Sequence, residues 1–156
     1  MAEELEQTLS IYRRLLEAWN RRDLAAFVAL FAKTGSIVGF DGSQMNGQSE
    51  IAETLRTFFD HHQTPRYVAR LREIRPLGAG VTLLRAVVGM IPPGETEINP
   101  AVNAIQSLVV VTEASQPKIA LFQYTPAVFH GRPHMVEQLT AELAEVARRG
   151  ELVAVP

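Results

Sequence analysis

The chain has 156 residues, of which 47% are hydrophobic, and it sets 15 Lys and Arg against 17 Asp and Glu for a formal charge of -2. That length suits one domain, and that composition excludes wholesale disorder. Zero cysteines exclude a disulfide framework, a thiolate nucleophile and thiolate ligation of zinc or iron-sulfur clusters.

In chain order, Leu5, Leu9, Tyr12, Leu16 and Trp19 recur at alternating gaps of four and three, which predicts one apolar face of a helix. The pattern breaks at 20–22, and Asp23 caps a second, short helix running through Phe31. The spacing then predicts a strand over 36–40, a turn-rich loop over 41–47 with Asp-Gly and Asn-Gly steps, and a third helix over 48–62. From Tyr67 the period is that of strands. Residues 66–75 pair with 80–91, and 101–112 pair with 118–125. A linker over 126–133 leads to a final amphipathic helix that Pro133 opens and that ends near Arg149. This gives one domain over 1–150 and a tail, 151–156, that either frays or docks. The central runs 81–91 and 104–111 are apolar on both alternations, so both sheet faces should be covered. Helices would cover one face, and the last helix or another chain the other.

No basic block is present to neutralise phosphates, no apolar run approaches the roughly 20 residues that span a bilayer, and the first ten residues are acidic. Neither nucleic acid nor membrane is expected as a partner, and the chain reads as soluble and cytoplasmic.

The informative anomaly is a set of polar groups in apolar strands, namely Arg85, Asn103, Gln106 and Gln123. Buried polar groups cost free energy unless partnered, so these must meet each other, water, a ligand or a second subunit. Alternation puts Gln106 on one face with Ala104 and Leu108, and Asn103 on the other with Ile105 and Ser107. Two readings stay open for the set: pocket residues, or a network that fixes sheet register or a dimer interface. Asp41 is either an Asx turn or a carboxylate at a pocket mouth, with Phe40 and Met45 as apolar wall. His61 and His62 suit a helix end, while Gly131 and Pro133 interrupt the spacing of His130 and His134. No H-E-x-x-H pattern, phosphate loop, calcium loop, or nicotinamide or flavin motif occurs, so neither a metal nor an organic cofactor is expected.

The opening L-L-E-A-W-N-R-R-D-L-A-A-F-V-A-L-F-A, from Leu15 to Ala32, resembles the helical hairpin of the nuclear transport factor 2-like superfamily, in its SnoaL-like branch. With G-F-D-G-S-Q-M-N-G-Q-S-E-I-A from Gly39, L-L-R-A-V-V-G-M-I-P-P-G from Leu83, N-P-A-V-N-A-I-Q and I-A-L-F-Q-Y-T-P-A-V-F-H-G-R-P, the chain is similar to SgcJ/EcaC-type proteins. The resemblance implies an α+β roll of the cystatin-like kind. Its cone-shaped, curved antiparallel sheet would pack against N-terminal helices around an apolar cavity, with an additional C-terminal helix and a homodimer through the outer sheet face. Matched to ketosteroid isomerase, the chain has Leu15 at the catalytic tyrosine, Gly39 near the general base and Gln106 near the second acid, so chemistry by that mechanism is not expected. Two classes of function follow from the resemblance. One is binding, with or without cofactor-independent transformation, of a small hydrophobic metabolite such as a polyketide or aromatic compound. In that class Trp19, Phe40, Met45, Phe58 and Met90 form the wall, Arg85, Asn103, Gln106 and Gln123 fix ligand oxygens, and Asp41 is the acid or base. The other is a noncatalytic ligand-binding or dimeric structural module.

Overall fold

The computed structural model describes residues 2–156. Helix α1 (Ala2–Asn20) turns its apolar stripe inward and buries Ile11, Tyr12, Leu15, Leu16 and Trp19. Asp23 accepts a hydrogen bond from the Ala26 N–H at 3.1 Å and so caps α2 (Leu24–Ala29). That helix ends sooner than its composition suggests, because Phe31 is already paired with Ile119. Strand β1 (Phe31–Val38) therefore begins where the helix was expected to continue. The turn-rich loop contains a short strand, β2 (Gln44–Asn46), before α3 (Gln48–His61). Two antiparallel hairpins follow, β3 (Arg66–Gly78) with β4 (Val81–Ile91) and β5 (Ala104–Glu113) with β6 (Gln116–Pro126). Helix α4 (Pro133–Arg148) leads into the tail, which docks as β7 (Val153–Ala154).

The seven strands form one sheet in the order β2-β1-β6-β5-β4-β3-β7. The expectation of a cone-shaped antiparallel sheet is thereby corrected. The strand order is linear, with β2 and β7 as open edges rather than a closed wall, and β1–β6 and β3–β7 are parallel pairs. The physical reason lies in the connections. Both β1 and β7 follow helices, and a strand delivered by a crossover is not bound to the antiparallel sense that a tight hairpin imposes.

One face of this mixed sheet packs on α1–α3 through Leu84, Ala86, Val88, Leu108, Ile119 and Phe122. On the other face α4 sets Leu139, Leu143 and Val146 against Val68, Val87 and Ile91. Gly89 permits that approach, since a Cβ there would lie 2.9 Å from Ile98 Cδ1 and 3.2 Å from Leu143 Cδ1. The helix is also tethered electrostatically. Arg72 donates to both carboxylate oxygens of Glu142, at 2.5 and 2.8 Å, and Arg70 lies 3.1 Å from the same group. The Arg72 hydrogen bonds hold the Glu142 carboxyl below its usual range. The contribution is therefore present above the ordinary carboxylate pKa and fades as pH falls through the depressed one. No helix among the described residues is long and apolar enough to cross a membrane.

Candidate functional site

Between the helical layer and the sheet lies a cavity of about 350 Å³. Its lining is assembled from most of the chain: Trp19 at the end of α1, Phe27 from α2, Ile37 from β1, Met45 from β2, Leu55 and Phe58 from α3, and Tyr67, Met90, Phe122 and Tyr124 from the long strands. The end of α1 is pinned to the start of β3 in two ways. Trp19 Nε1 donates to the Pro65 carbonyl at 3.2 Å, and the Asn20 side chain brackets Tyr67, accepting from its N–H at 2.8 Å and donating to its C=O at 3.0 Å. Trp19 is thus held at the centre of an aromatic cluster, 5.9 Å from Phe27, 5.1 Å from Phe59 and 5.5 Å from Tyr67 between ring centroids.

The exposed lining residues Asp41, Ser43, Thr54 and Phe58 mark the mouth, and Phe58 is 39% exposed, unusual for a large apolar side chain. Asp41 Oδ1 accepts from the Ser43 N–H at 2.9 Å, an Asx turn, and that bond holds its carboxyl below the usual carboxylate range. Asp41 is therefore a carboxylate at neutral pH and a weaker base than an ordinary aspartate.

The deep end is phenolic. Tyr124 and Tyr67 bring their hydroxyls to 3.2 Å, with Tyr124 donating. Behind them Tyr12 donates to Gln106 Oε1 at 2.7 Å. Burial pushes the Tyr67 phenol up to about 12 and raises those of Tyr12 and Tyr124 well above the usual phenol range, so all three remain protonated through the physiological range.

Of the residues singled out from the sequence, Trp19, Phe40, Asp41, Met45, Phe58 and Met90 all line this cavity. The polar strand residues go elsewhere. Gln106 is fully buried on the cavity side of the sheet but behind the lining, and its Nε2 has no partner. Asn103 is buried beneath α4, donating to Thr140 Oγ1 at 2.8 Å, and its Oδ1 has no partner. Arg85 and Gln123 lie on the opposite sheet face. There Arg85 pairs with Glu73 Oε1 at 2.5 Å, and Ser107 separates it from Gln123 in register. The two tyrosines of the deep wall were not singled out. The signal for them was slight, because tyrosine on an apolar alternation is indistinguishable from core until its hydroxyl is placed. Among the described residues no group of three or more His, Asp or Glu is placed to hold a metal ion.

A second hollow, an open groove of about 820 Å³, runs between the start of β3, the loop after β4 and the end of α4. Exposed Arg66, Glu97, Arg148 and Glu151 line its rim, so it mixes both charge signs above a buried base that includes Val68, Ile91 and Ile98. Its size exceeds that of the first cavity, but its walls are less suited to a small apolar ligand, which needs apolar enclosure with few polar groups.

Residues 12–106 match the SnoaL-like domain family. No curated protein matches the chain in sequence. Among solved structures, a domain of unknown function with a cystatin-like fold from Nostoc punctiforme superposes with a TM-score of 0.75 at 24% identity, covering 94% of this chain and 91% of that one. A ketosteroid isomerase-like protein from Erwinia carotovora atroseptica gives a TM-score of 0.64 at 18% identity, covering 81% of this chain and 98% of that one. An NTF-2 like protein of unknown function from Shewanella oneidensis also gives 0.64, at 15% identity, covering 77% and 97%. At these identities the likeness shows the fold alone.

Proposed function

Starting from the fact that the chain belongs to the SnoaL-like domain family, within the NTF2-like, cystatin-like superfamily, we propose that its aromatic cavity binds a small hydrophobic molecule of polyketide or aromatic type. The observation that carries this is the lining itself. About 350 Å³ is enclosed mainly by Trp, Phe, Tyr, Met, Ile and Leu side chains, with polar groups confined to the mouth and the deep end. Asp41 is the one carboxylate of that lining, so a cofactor-independent proton transfer would have to use it. Its lowered pKa and its engagement with Ser43 favour binding over transformation. The finer placement as an SgcJ/EcaC-type protein is supported by the motifs quoted above and belongs to the same proposal, as does a cytoplasmic location.

Calorimetric titration with 2-ethylnaphthalene tests it. The expected result is saturable binding of one molecule per chain with a negative heat-capacity change. The binding should be lost in Val102→Trp, which puts an indole into the cavity from a partly buried wall position. Equal binding by that variant, or none by the natural chain, would overturn the proposal.

A second reading, dimerisation, has its own observation. The sheet face that α4 leaves open presents Val38, Val109, Val111 and Leu121, each half-buried, around the Arg85–Glu73 pair. We propose that a second copy covers it. Native mass spectrometry should give a dimer that Leu121→Lys converts to monomer, and a natural chain that is monomeric at tens of micromolar would sink this reading.

A further inference from the structure

We propose that the Tyr67 hydroxyl is the polar anchor of the cavity and that its ligand is an uncharged carbonyl compound whose oxygen accepts the Tyr67 hydrogen. This rests on the binding reading above and adds the chemical class of the ligand.

The argument follows the direction of the hydrogens. Gln106 Oε1 can only accept, so the 2.7 Å bond from Tyr12 fixes which end of the amide faces α1. That leaves Nε2, a pure donor, buried without a partner, on a residue directly opposed to Tyr124 across β5 and β6. The Gln106 amide also acts on the Tyr124 phenol, in the sense opposite to burial. Tyr124 in turn donates to Tyr67. Tyr67 accepts from Tyr124 on the deeper side and lines the cavity, and no protein acceptor takes its own hydrogen, which leaves that hydrogen for a ligand. Donors arranged head to tail polarise one another, which strengthens the terminal one.

The class of ligand follows from what the lining lacks. Among the described residues no Lys, Arg or His lines the cavity, and Asp41 stands at its mouth. A carboxylate would lose its hydration with no cation to replace it, and would pass a like charge to enter. A ketone or quinone oxygen needs only the donor that is present.

The experiment compares 2-acetylnaphthalene, 2-ethylnaphthalene and 2-naphthoate by calorimetry, and reads the carbonyl stretch of the bound ketone by infrared spectroscopy. The ketone should bind about three- to tenfold more tightly than the hydrocarbon, the range of one net hydrogen bond. In Tyr67→Phe the ratio of ketone to hydrocarbon affinity should fall to about one, and saturable binding of the hydrocarbon shows the variant to be folded. The carbonyl stretch should be lowest in the natural chain, intermediate in Tyr124→Phe, where the anchor keeps its hydrogen but loses its polarising partner, and highest in Tyr67→Phe. A preference that survives Tyr67→Phe, its absence in a natural chain that binds the hydrocarbon, or naphthoate bound as tightly as the ketone would overturn this inference and leave the binding reading standing. Failure of both neutral probes to bind would overturn the two together.

Discussion

Trp19→Ala should destabilise the fold by about 3 kcal/mol, toward the lower end of the ~3–5 kcal/mol typical of buried aromatic truncations. The lower end is expected because one side of the indole faces the cavity and has no packing to lose. What is lost on the other sides is contact with Phe27, Phe59 and Tyr67, together with the Nε1 bond to the Pro65 carbonyl. Against a total stability of roughly 5–15 kcal/mol such a change is large. A urea midpoint measured beside Trp19→Phe, which keeps the ring but not the donor, separates packing from the hydrogen bond. A loss under about 1 kcal/mol in the alanine variant would mean that the ring hangs over the hollow without bracing the helix.

Gly35→Ala is expected to cost about 3 kcal/mol, the upper part of the overpacking range. A Cβ at Gly35 would lie 2.5 Å from the Ile119 carbonyl oxygen and 3.0 Å from that of Ala32, both backbone atoms. Neither strand can retreat. Ile119 N–H is bonded to the Leu30 carbonyl at 2.9 Å, and the Gly35 carbonyl accepts from Gly47 N–H at 2.7 Å. The residue sits where the register of the parallel β1–β6 pair shifts, between Phe31 and Ser36, so the close approach belongs to the irregular join of helix to strand. Gly89→Ala is the control, since its added methyl would meet only side-chain ends of Ile98 and Leu143 and should cost about 1 kcal/mol. Equal midpoints for the two variants would show that the β1–β6 join yields more easily than this geometry allows.

Much of the fold could be read from periodicity. The stripe from Leu5 to Trp19 and the two hairpins need only local information, because each element is defined by neighbours in sequence. What escaped was set by distant partners. The strand from Phe31 exists because Ile119 lies opposite, and Val153–Ala154 becomes a strand because Ala69 and Arg70 offer an edge. Neither carries a local signal strong enough to announce it. The site divides similarly. Aromatic and sulfur-bearing residues near the helix ends and strand tips pointed to Trp19, Phe40, Met45, Phe58 and Met90, whereas Phe27, Ile37, Leu55, Tyr67, Phe122 and Tyr124 of the same lining read as ordinary core. The polar strand residues marked the sheet, but alternation says that Arg85 and Ala86 face opposite ways without saying which way the cavity lies. When both alternations are apolar, only the packing of α1 on one side and α4 on the other resolves it.

The two outermost strands of the sheet, Gln44–Asn46 and Val153–Ala154, are also its shortest. Long strands in the middle and stubs at the margins leave little continuous backbone on which a foreign strand can add, the route by which β proteins polymerise. The stretch of β3 beyond the β7 stub is defended by other means: a register shift beside Arg72, the charges of Glu73 and Arg75, and Pro76, which has no N–H to offer. Strand addition therefore finds little edge to grow from at either margin.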